Sequence, residues 1–111
     1  MFKKLKLWKI HNYNKKIKRE LKEISFDEIK LKNYIIIDVR TAKEFSEGHL
    51  NGAYNIELSK LKRKINDLKL KKEDNILVCC RSGVRSKKAV IILEELGYIN
   101  VYNLNGGLEN I

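Results

Sequence analysis

The residues best suited to covalent chemistry lie in the run Asn-Ile-Leu-Val-Cys-Cys-Arg-Ser-Gly-Val-Arg-Ser, residues 75–86. Its first five residues predict a buried strand, and the residues from about Val84 predict a helix. Cys80 follows the strand directly, so its sulfur lies where open α/β sheets bind ligands and faces the N-terminus of the next helix. Free amides of the loop and of the first helical turn are expected to converge there on one anion.

We expect Cys80 to be a reactive thiolate. A free thiol has a pKa of about 8.5, which a helix N-terminus and neighbouring cations such as Arg81 and Arg85 lower. Gly83 allows the φ angle that a nest of amides needs. Attack on the outer sulfur of a donor would leave a persulfide on Cys80, and an acceptor thiol or cyanide would then remove it. Cys79 points to the opposite face of the strand and is expected to be a core residue.

Apolar runs alternate with amphipathic ones from residue 34, which predicts an α/β fold with a mostly parallel sheet. We expect four or five short strands with helices on both faces. The predicted strands are Tyr34–Val39, Ala53–Ile56, Asn75–Cys79 and Asn100–Leu104. The predicted helices are Thr41–Glu47, Ser59–Leu70 and Val84–Leu96, with a short entry helix at Phe26–Leu31 whose capping box would join Ser25 and Glu28.

Most of the net charge of +10 belongs to one end of the chain. Residues 1–22 hold nine lysines and arginines against Glu20 alone. We therefore divide the chain into a basic arm, residues 1–23, with a helix predicted over 10–23, and a single domain, residues 24–111. The arm could be a solvated extension, a membrane-surface helix or a polyanion contact, and basic residues around much of the predicted helix favour the first.

Several classes of protein are excluded or disfavoured by the sequence. No apolar stretch is long enough to span a bilayer, and the N-terminus has no signal-peptide core. The only cysteines are adjacent and cannot join distant segments, which favours a reducing compartment, the cytoplasm. Two distant histidines and two vicinal cysteines lack metal-ligand spacing, so we predict no metal site. We predict no cofactor either.

Two motifs resemble those of the single-domain rhodanese-like proteins. The first is Cys80-Arg81-Ser82-Gly83-Val84-Arg85-Ser86, which is similar to the active-site loop of that family, with the catalytic cysteine first and an arginine sixth. The second is Ile37-Asp38-Val39-Arg40 followed by Glu44-Phe45, Gly48-His49-Leu50 and Gly52-Ala53-Tyr54-Asn55-Ile56. Together with Tyr102-Asn103-Leu104 and Gly106-Gly107, the resemblance covers residues 24–111. Glu57 departs from it, because a proline commonly stands there in the family.

The resemblance implies a rhodanese-like α/β fold and a thiosulfate sulfurtransferase type of enzyme. Such an enzyme moves sulfane sulfur from thiosulfate, a polysulfide or a low-molecular-weight persulfide to a thiol or cyanide acceptor. Phosphatases of similar fold use a cradle one residue longer, so the loop from Cys80 to Arg85 favours sulfur over phosphate. The resemblance implies that Cys80 is catalytic and that the persulfide is bound by Arg81, Ser82, Gly83, Val84 and Arg85.

The resemblance also implies a structural role for four residues that look catalytic by type. Asp38, Arg40, Glu44 and His49 would brace the loops around the site, and Arg40 would pair with Glu44 if the two share a helix. An alternative function is a sulfur carrier or interaction module with little turnover on free donors. Its partner would be a protein, a tRNA or an anionic membrane bound through residues 1–23.

Overall fold

The structure, a computed structural model, describes residues 22–31 and 33–110. They form a five-stranded sheet in the order β1-β5-β4-β2-β3, in which every pair of neighbours is parallel. This confirms the predicted α/β fold. The strands are β1 (Glu23–Ile24), β2 (Ile35–Asp38), β3 (Tyr54–Asn55), β4 (Asn75–Cys79) and β5 (Asn100–Leu104).

Three α-helices lie between the strands: α1 (Ala42–Ser46), α2 (Leu61–Lys64) and α3 (Val84–Glu95). The predicted helix over 59–70 is a single α-helical turn, α2, with 3-10 turns on both sides, and it ends where Lys69 turns left-handed at φ 51°. The 3-10 turns are Phe26–Leu31, Leu58–Lys60, Ile65–Leu68 and Leu108–Asn110.

The core lies on both faces of the sheet, as the alternation along β4 shows. Ile76 and Val78 pack with Cys80, together with buried residues of α2 and α3, on one face. Leu77 and Cys79 pack on the other face, where the 3-10 turns at both ends of the described chain cover them. Successive strand residues point to opposite faces, so the two adjacent cysteines belong to two different clusters. The predicted placement of helices on both faces and of Cys79 in the core is confirmed.

The first strand was not among the predicted ones. Glu23 and Ile24 pair with Asn103 and Leu104 of β5, so the predicted domain start at Ile24 falls inside a strand. A strand of two residues is too short to show a period of two in the sequence. The basic arm and its helix predicted over 10–23 lie outside the described residues, apart from Lys22 and Glu23, and Glu23 belongs to this strand.

The predicted capping box at Ser25 forms only in part. The Ser25 amide donates to the Glu28 carboxylate at 3.3 Å as expected, but the Glu28 amide donates to the carbonyl oxygen of Ser25 at 3.1 Å instead of to its hydroxyl. A 3-10 turn closes with i to i+3 bonds, which occupy that amide. The full box occurs at α1, where Thr41 is the N-cap and Glu44 the third helical residue. No helix in the described part of the chain is long and apolar enough to cross a membrane.

Two isoleucines test the position of the core. Ile76 of β4 is 0% exposed and Ile99 is 62% exposed. We expect Ile76→Ala to lower the free energy of unfolding by about 2–5 kcal/mol, because the lost side chain leaves a cavity. The matched control Ile99→Ala should change it by no more than about 0.5 kcal/mol. Urea denaturation measures both, and equal losses would contradict this assignment of the core.

Candidate active site

Cys80 follows β4, the middle strand of the sheet, and is fully buried. Its Sγ lies 3.0 Å from the amide nitrogen of Gly83, and 3.4 Å from both the amide nitrogen and the hydroxyl oxygen of Ser86. Gly83 is the N-cap of α3 and has φ 97°, a left-handed conformation that glycine adopts without strain. The first amides of a helix have no partner within the helix, so these are free to bind an anion.

The pKa of the Cys80 thiol is the outcome of two opposed effects. Burial raises this pKa, whereas hydrogen bonds from the hydroxyl and amide of Ser86 and from the amides of Gly83 and Ser82 lower it, and the net result is a pKa below the ordinary value. The sequence predicts this lowering from a helix N-terminus and from the neighbouring cations Arg81 and Arg85. In the structure the hydrogen bonds are the main cause, and they favour the thiolate because they are donated to it.

Cys79 has the opposite properties. Its side chain is buried on the other face of the sheet, and burial, followed by the charge of Asp38, raises its pKa to about 12. The thiol of Cys79 therefore stays protonated at neutral pH. Of the two cysteines, Cys80 alone combines a lowered pKa with a set of hydrogen-bond donors.

The predicted ion pair between Arg40 and Glu44 is wrong, because each of the two residues binds another partner. Arg40 binds Asp38 through two nitrogens, at 2.7 and 3.0 Å, and donates to the carbonyl oxygen of Gly48 at 2.6 Å. Thr41 is the N-cap of α1, so Arg40 precedes the helix and the i,i+4 geometry does not apply to it. Arg40 thus joins the end of β2 to the turn that follows α1.

Glu44 binds Arg85 instead. The two guanidinium nitrogens donate to the two carboxylate oxygens at 2.7 and 2.9 Å, a bidentate pair. The Arg85 hydrogen bonds, followed by the backbone amide of Thr41, lower the pKa of Glu44 to about 2. Since Arg85 belongs to the first turn of α3, this pair joins α1 to the helix that carries the amides around Cys80.

The residues after Gly107 hydrogen-bond the start of the loop that follows β4. The amide of Leu108 donates to the carbonyl oxygen of Cys80 at 2.8 Å, and that of Glu109 donates to the carbonyl oxygen of Arg81 at 2.9 Å. Gly107 has φ 67°, and a Cβ at this position would lie 2.5 Å from the Arg81 carbonyl oxygen. The pair Gly106-Gly107 was the only sequence signal of this close approach.

Two asparagines near the site have no assigned role in the sequence interpretation. Asn55 donates from Nδ2 to the carbonyl oxygens of Asp38 and Arg40, at 3.0 and 2.9 Å, and so holds the backbone after β2. Asn103 of β5 contacts the hydroxyl of Ser86 through Oδ1. Both contacts join segments far apart in sequence, so residue type alone did not indicate them.

The remaining predicted residues lie around the loop. Val84, Ser82 and Arg81 are exposed. His49 stacks on Phe45 with ring centroids 3.6 Å apart, and its Nδ1 lies 2.8 Å from the Phe45 carbonyl oxygen. Beside the loop is an open cavity of about 370 Å³, lined by Arg40, Glu44, Glu47, Gly48, Arg81, Leu108 and Glu109.

Comparison with known families decides the classification. Residues 18–111 match the family described as the rhodanese-like domain. The chain belongs to the rhodanese-like family. One similar solved structure is the rhodanese-like domain protein of Staphylococcus aureus, which is 33% identical in sequence. The alignment covers 79% of this chain and 88% of that one, with a TM-score of 0.71.

Curated relatives agree with this membership. Thiosulfate sulfurtransferase PspE of Escherichia coli is 40% identical over 75 residues, which cover 68% of this chain and 71% of that protein. The putative mitochondrial thiosulfate sulfurtransferase of Schizosaccharomyces pombe is 38% identical over 86 residues, which cover 68% of this chain and 61% of that protein. The chain thus spans about three fifths to seven tenths of the length of these relatives.

The support from Gly107 can be tested against another glycine. Gly107→Ala should cost about 1–2 kcal/mol of unfolding free energy for its positive φ, and more because the new Cβ collides with the loop backbone. Gly52→Ala is the control, since Gly52 has φ 81° with nothing within 4 Å of the added Cβ. Urea denaturation measures the unfolding free energy of both variants, and the alkylation rate of Cys80 measures the effect on the loop. A Gly107 variant with no greater loss than the Gly52 variant, and with unchanged alkylation, would contradict the role of the turn.

The pair of Glu44 with Arg85 predicts a dependence of stability on pH. The folded-state pKa of Glu44, about 2, is below its ordinary value of 4.5, so the pair contributes its full stability above the ordinary value and loses it as pH falls towards 2. The difference in unfolding free energy between the natural chain and Glu44→Gln should therefore be constant near neutral pH and shrink below about 4.5. Urea denaturation across this range measures it, with Glu47→Gln as the control. A difference that does not change with pH would contradict the pair.

Proposed function

We propose that this chain is a sulfurtransferase that carries sulfane sulfur as a persulfide on Cys80. The observation that carries the proposal is the set of donors around the Cys80 sulfur, with the Gly83 amide at 3.0 Å and the Ser86 amide and hydroxyl at 3.4 Å. These groups favour an anionic sulfur in a fully buried position. A thiolate is the nucleophilic form of cysteine, so the same donors that lower the pKa also prepare the attack.

The reaction divides into two displacements at sulfur. The Cys80 thiolate attacks the outer sulfur of the donor, a new S–S bond forms, and the old bond breaks with its electron pair on the leaving group, which is sulfite when the donor is thiosulfate. An acceptor thiolate or cyanide then attacks the terminal sulfur of the persulfide and releases the Cys80 thiolate. Both displacements need only a nucleophile and a leaving group, and the shared covalent intermediate predicts ping-pong kinetics.

The loop size supports sulfur as the transferred group. The loop from the nucleophile Cys80 to Arg85 has six residues, counting both. In the structure two nitrogens of the Arg85 guanidinium are already engaged by the Glu44 carboxylate. A phosphatase of this type would need a cation facing the phosphate oxygens, so this arrangement favours a persulfide over a phosphoryl group.

The family relatives support thiosulfate as one donor, because the Escherichia coli relative is named a thiosulfate sulfurtransferase. Polysulfides and low-molecular-weight persulfides carry the same sulfane sulfur and are equally in reach of this chemistry. The expected contact of residues 1–23 with a protein, a tRNA or an anionic membrane lies almost wholly outside the described residues and stays a prediction. The cytoplasmic location also stays a prediction, and the two free cysteines support it.

Mass spectrometry of the intact chain tests the proposal. After incubation with thiosulfate, a polysulfide or a persulfide, the chain should gain the mass of one sulfur atom, and dithiothreitol should remove it. Cys80→Ser should gain nothing, whereas the matched variant Cys79→Ser should gain the same mass as the natural chain. No gain with any donor, or a gain that survives in Cys80→Ser, would contradict the assignment.

A further inference from the structure

The hydroxyl of Ser86 is the one donor to Cys80 whose direction is not set by the backbone. Its oxygen lies 3.4 Å from the Cys80 sulfur and 3.1 Å from the carbonyl oxygen of Gly83, and it contacts Oδ1 of Asn103. A hydroxyl has one proton and can donate it to one acceptor at a time. The Gly83 carbonyl oxygen already accepts from the amide of Lys87 at 3.2 Å. A carbonyl oxygen has two lone pairs and can still accept from Ser86, so the proton has three possible acceptors: the sulfur, the Gly83 carbonyl oxygen and Oδ1 of Asn103.

Asn103 is an unusual partner for this hydroxyl. The residue is 1% exposed, and its Nδ2 has no hydrogen-bond partner in the described part of the chain, whereas its Oδ1 takes the Ser86 proton. A buried amide donor without a partner is unfavourable, because it has lost its hydrogen bonds to water. With the amide in this orientation, Oδ1 of Asn103 competes with the Cys80 sulfur for the Ser86 proton.

A half turn of the Asn103 amide reverses these contacts. Nδ2 then donates to the Ser86 oxygen, and the Ser86 proton is free to point at the Cys80 sulfur. We propose that Asn103 is a positioning residue that turns the Ser86 hydroxyl proton towards the Cys80 sulfur whenever that sulfur is anionic, as a thiolate or as a persulfide. An asparagine suits this role because its side chain both accepts and donates.

The two orientations match the two forms of the sulfur. When Cys80 is a neutral thiol, its S–H can donate to the Ser86 oxygen, whose own proton goes to Oδ1 of Asn103. When Cys80 is anionic, Nδ2 of Asn103 donates to Ser86, and Ser86 donates to the sulfur. Every hydroxyl and thiol proton has an acceptor in both states, and no proton moves between the residues. In the anionic state Nδ2 gains a partner while Oδ1 takes the position that Nδ2 leaves, so what this state gains is the hydrogen bond from Ser86 to a charged sulfur.

Charged groups on the neighbouring elements remain in place in any test of Asn103. Arg85 at the start of α3 and Cys79 on β4 interact electrostatically with Cys80. Asp38 at the end of β2 interacts with both of them, and Arg40 beside it with Cys79. Arg81 of the loop is exposed. β5, which carries Asn103, has no charged residue among Asn100–Leu104, so a substitution there leaves all of these charges unaltered.

The test is the pH dependence of Cys80 alkylation by iodoacetamide in the natural chain, Asn103→Leu, Ser86→Ala and the double variant. Asn103→Leu should raise the midpoint by up to about one to two pH units, the size expected for one hydrogen bond to a charged group. Ser86→Ala should raise it by at least as much. In the Ser86→Ala background, Asn103→Leu should add nothing, because the link between the amide and the sulfur is already missing.

Two results would overturn the proposal. One is an unchanged midpoint in Asn103→Leu, and the other is an equal shift in the presence and absence of the Ser86 hydroxyl, which a general loosening of the site would cause. If Asn103→Leu does not fold, Asn103→Ala takes its place. Alanine neither accepts nor donates and adds no charge, so it should also raise the midpoint, and by less in the Ser86→Ala background.

The proposal rests on the proposed function only in that Cys80 is the reacting sulfur. Alkylation needs no sulfur donor, so the titration gives an answer even for a chain that takes up no sulfur. A midpoint that depends on Asn103, in a chain without persulfide, would leave the positioning role standing and reject sulfur transfer. Sulfur uptake together with a midpoint that does not depend on Asn103 would reject the positioning role and leave sulfur transfer standing.

Discussion

An anionic sulfur inside a protein loses its hydration, and the loop around Cys80 has to replace it. The side chain is fully buried, yet the pKa of its thiol is lowered because hydrogen bonds outweigh the burial. This replacement requires that α3 begin at Val84, with Gly83 as its N-cap, and that the loop before it be short. It also requires the sulfur to stand at the middle of the sheet, where β2 and β5 flank β4 and bring further segments to the same edge.

Those further segments keep the amides in place. The pair of Asp38 with Arg40 holds the end of β2, while that of Glu44 with Arg85 joins α1 to α3. The turn at Gly107 hydrogen-bonds the first carbonyl oxygens of the loop through the residues after it. Glu57, which stands where the family commonly has a proline, also contributes to this arrangement. The Glu57 carboxylate accepts from the amide of Ala42 at 3.2 Å and so binds the start of α1.

The sequence was informative where a pattern is local. β4 and β5 have the predicted bounds, because each contains β-branched or aromatic residues and lies beside Gly or Asn turn signals. Cys80 was singled out by what directly precedes and follows it. The partner of Arg40 was predicted wrongly because Asp38 and Glu44 are both close to it in sequence. Thr41 is the N-cap of α1, so Arg40 lies outside the helix and cannot form the i,i+4 pair with Glu44. The contact of Asn103 with Ser86 depends on β5 lying next to β4, which no single segment of the sequence shows.

The burial of Cys80 has a consequence for how long the site survives. A thiolate in contact with solvent is readily oxidised by peroxides to the sulfenic acid and then irreversibly to higher acids, and both exposure and thiolate character favour this damage. Cys80 has the second property without the first, since none of its surface is open to solvent. A sulfur donor has to reach the same atom, and a peroxide is no larger than thiosulfate, so burial shields the thiolate at rest without closing the site to oxidants. The backbone that makes Cys80 reactive therefore also controls when a damaging reagent can meet it.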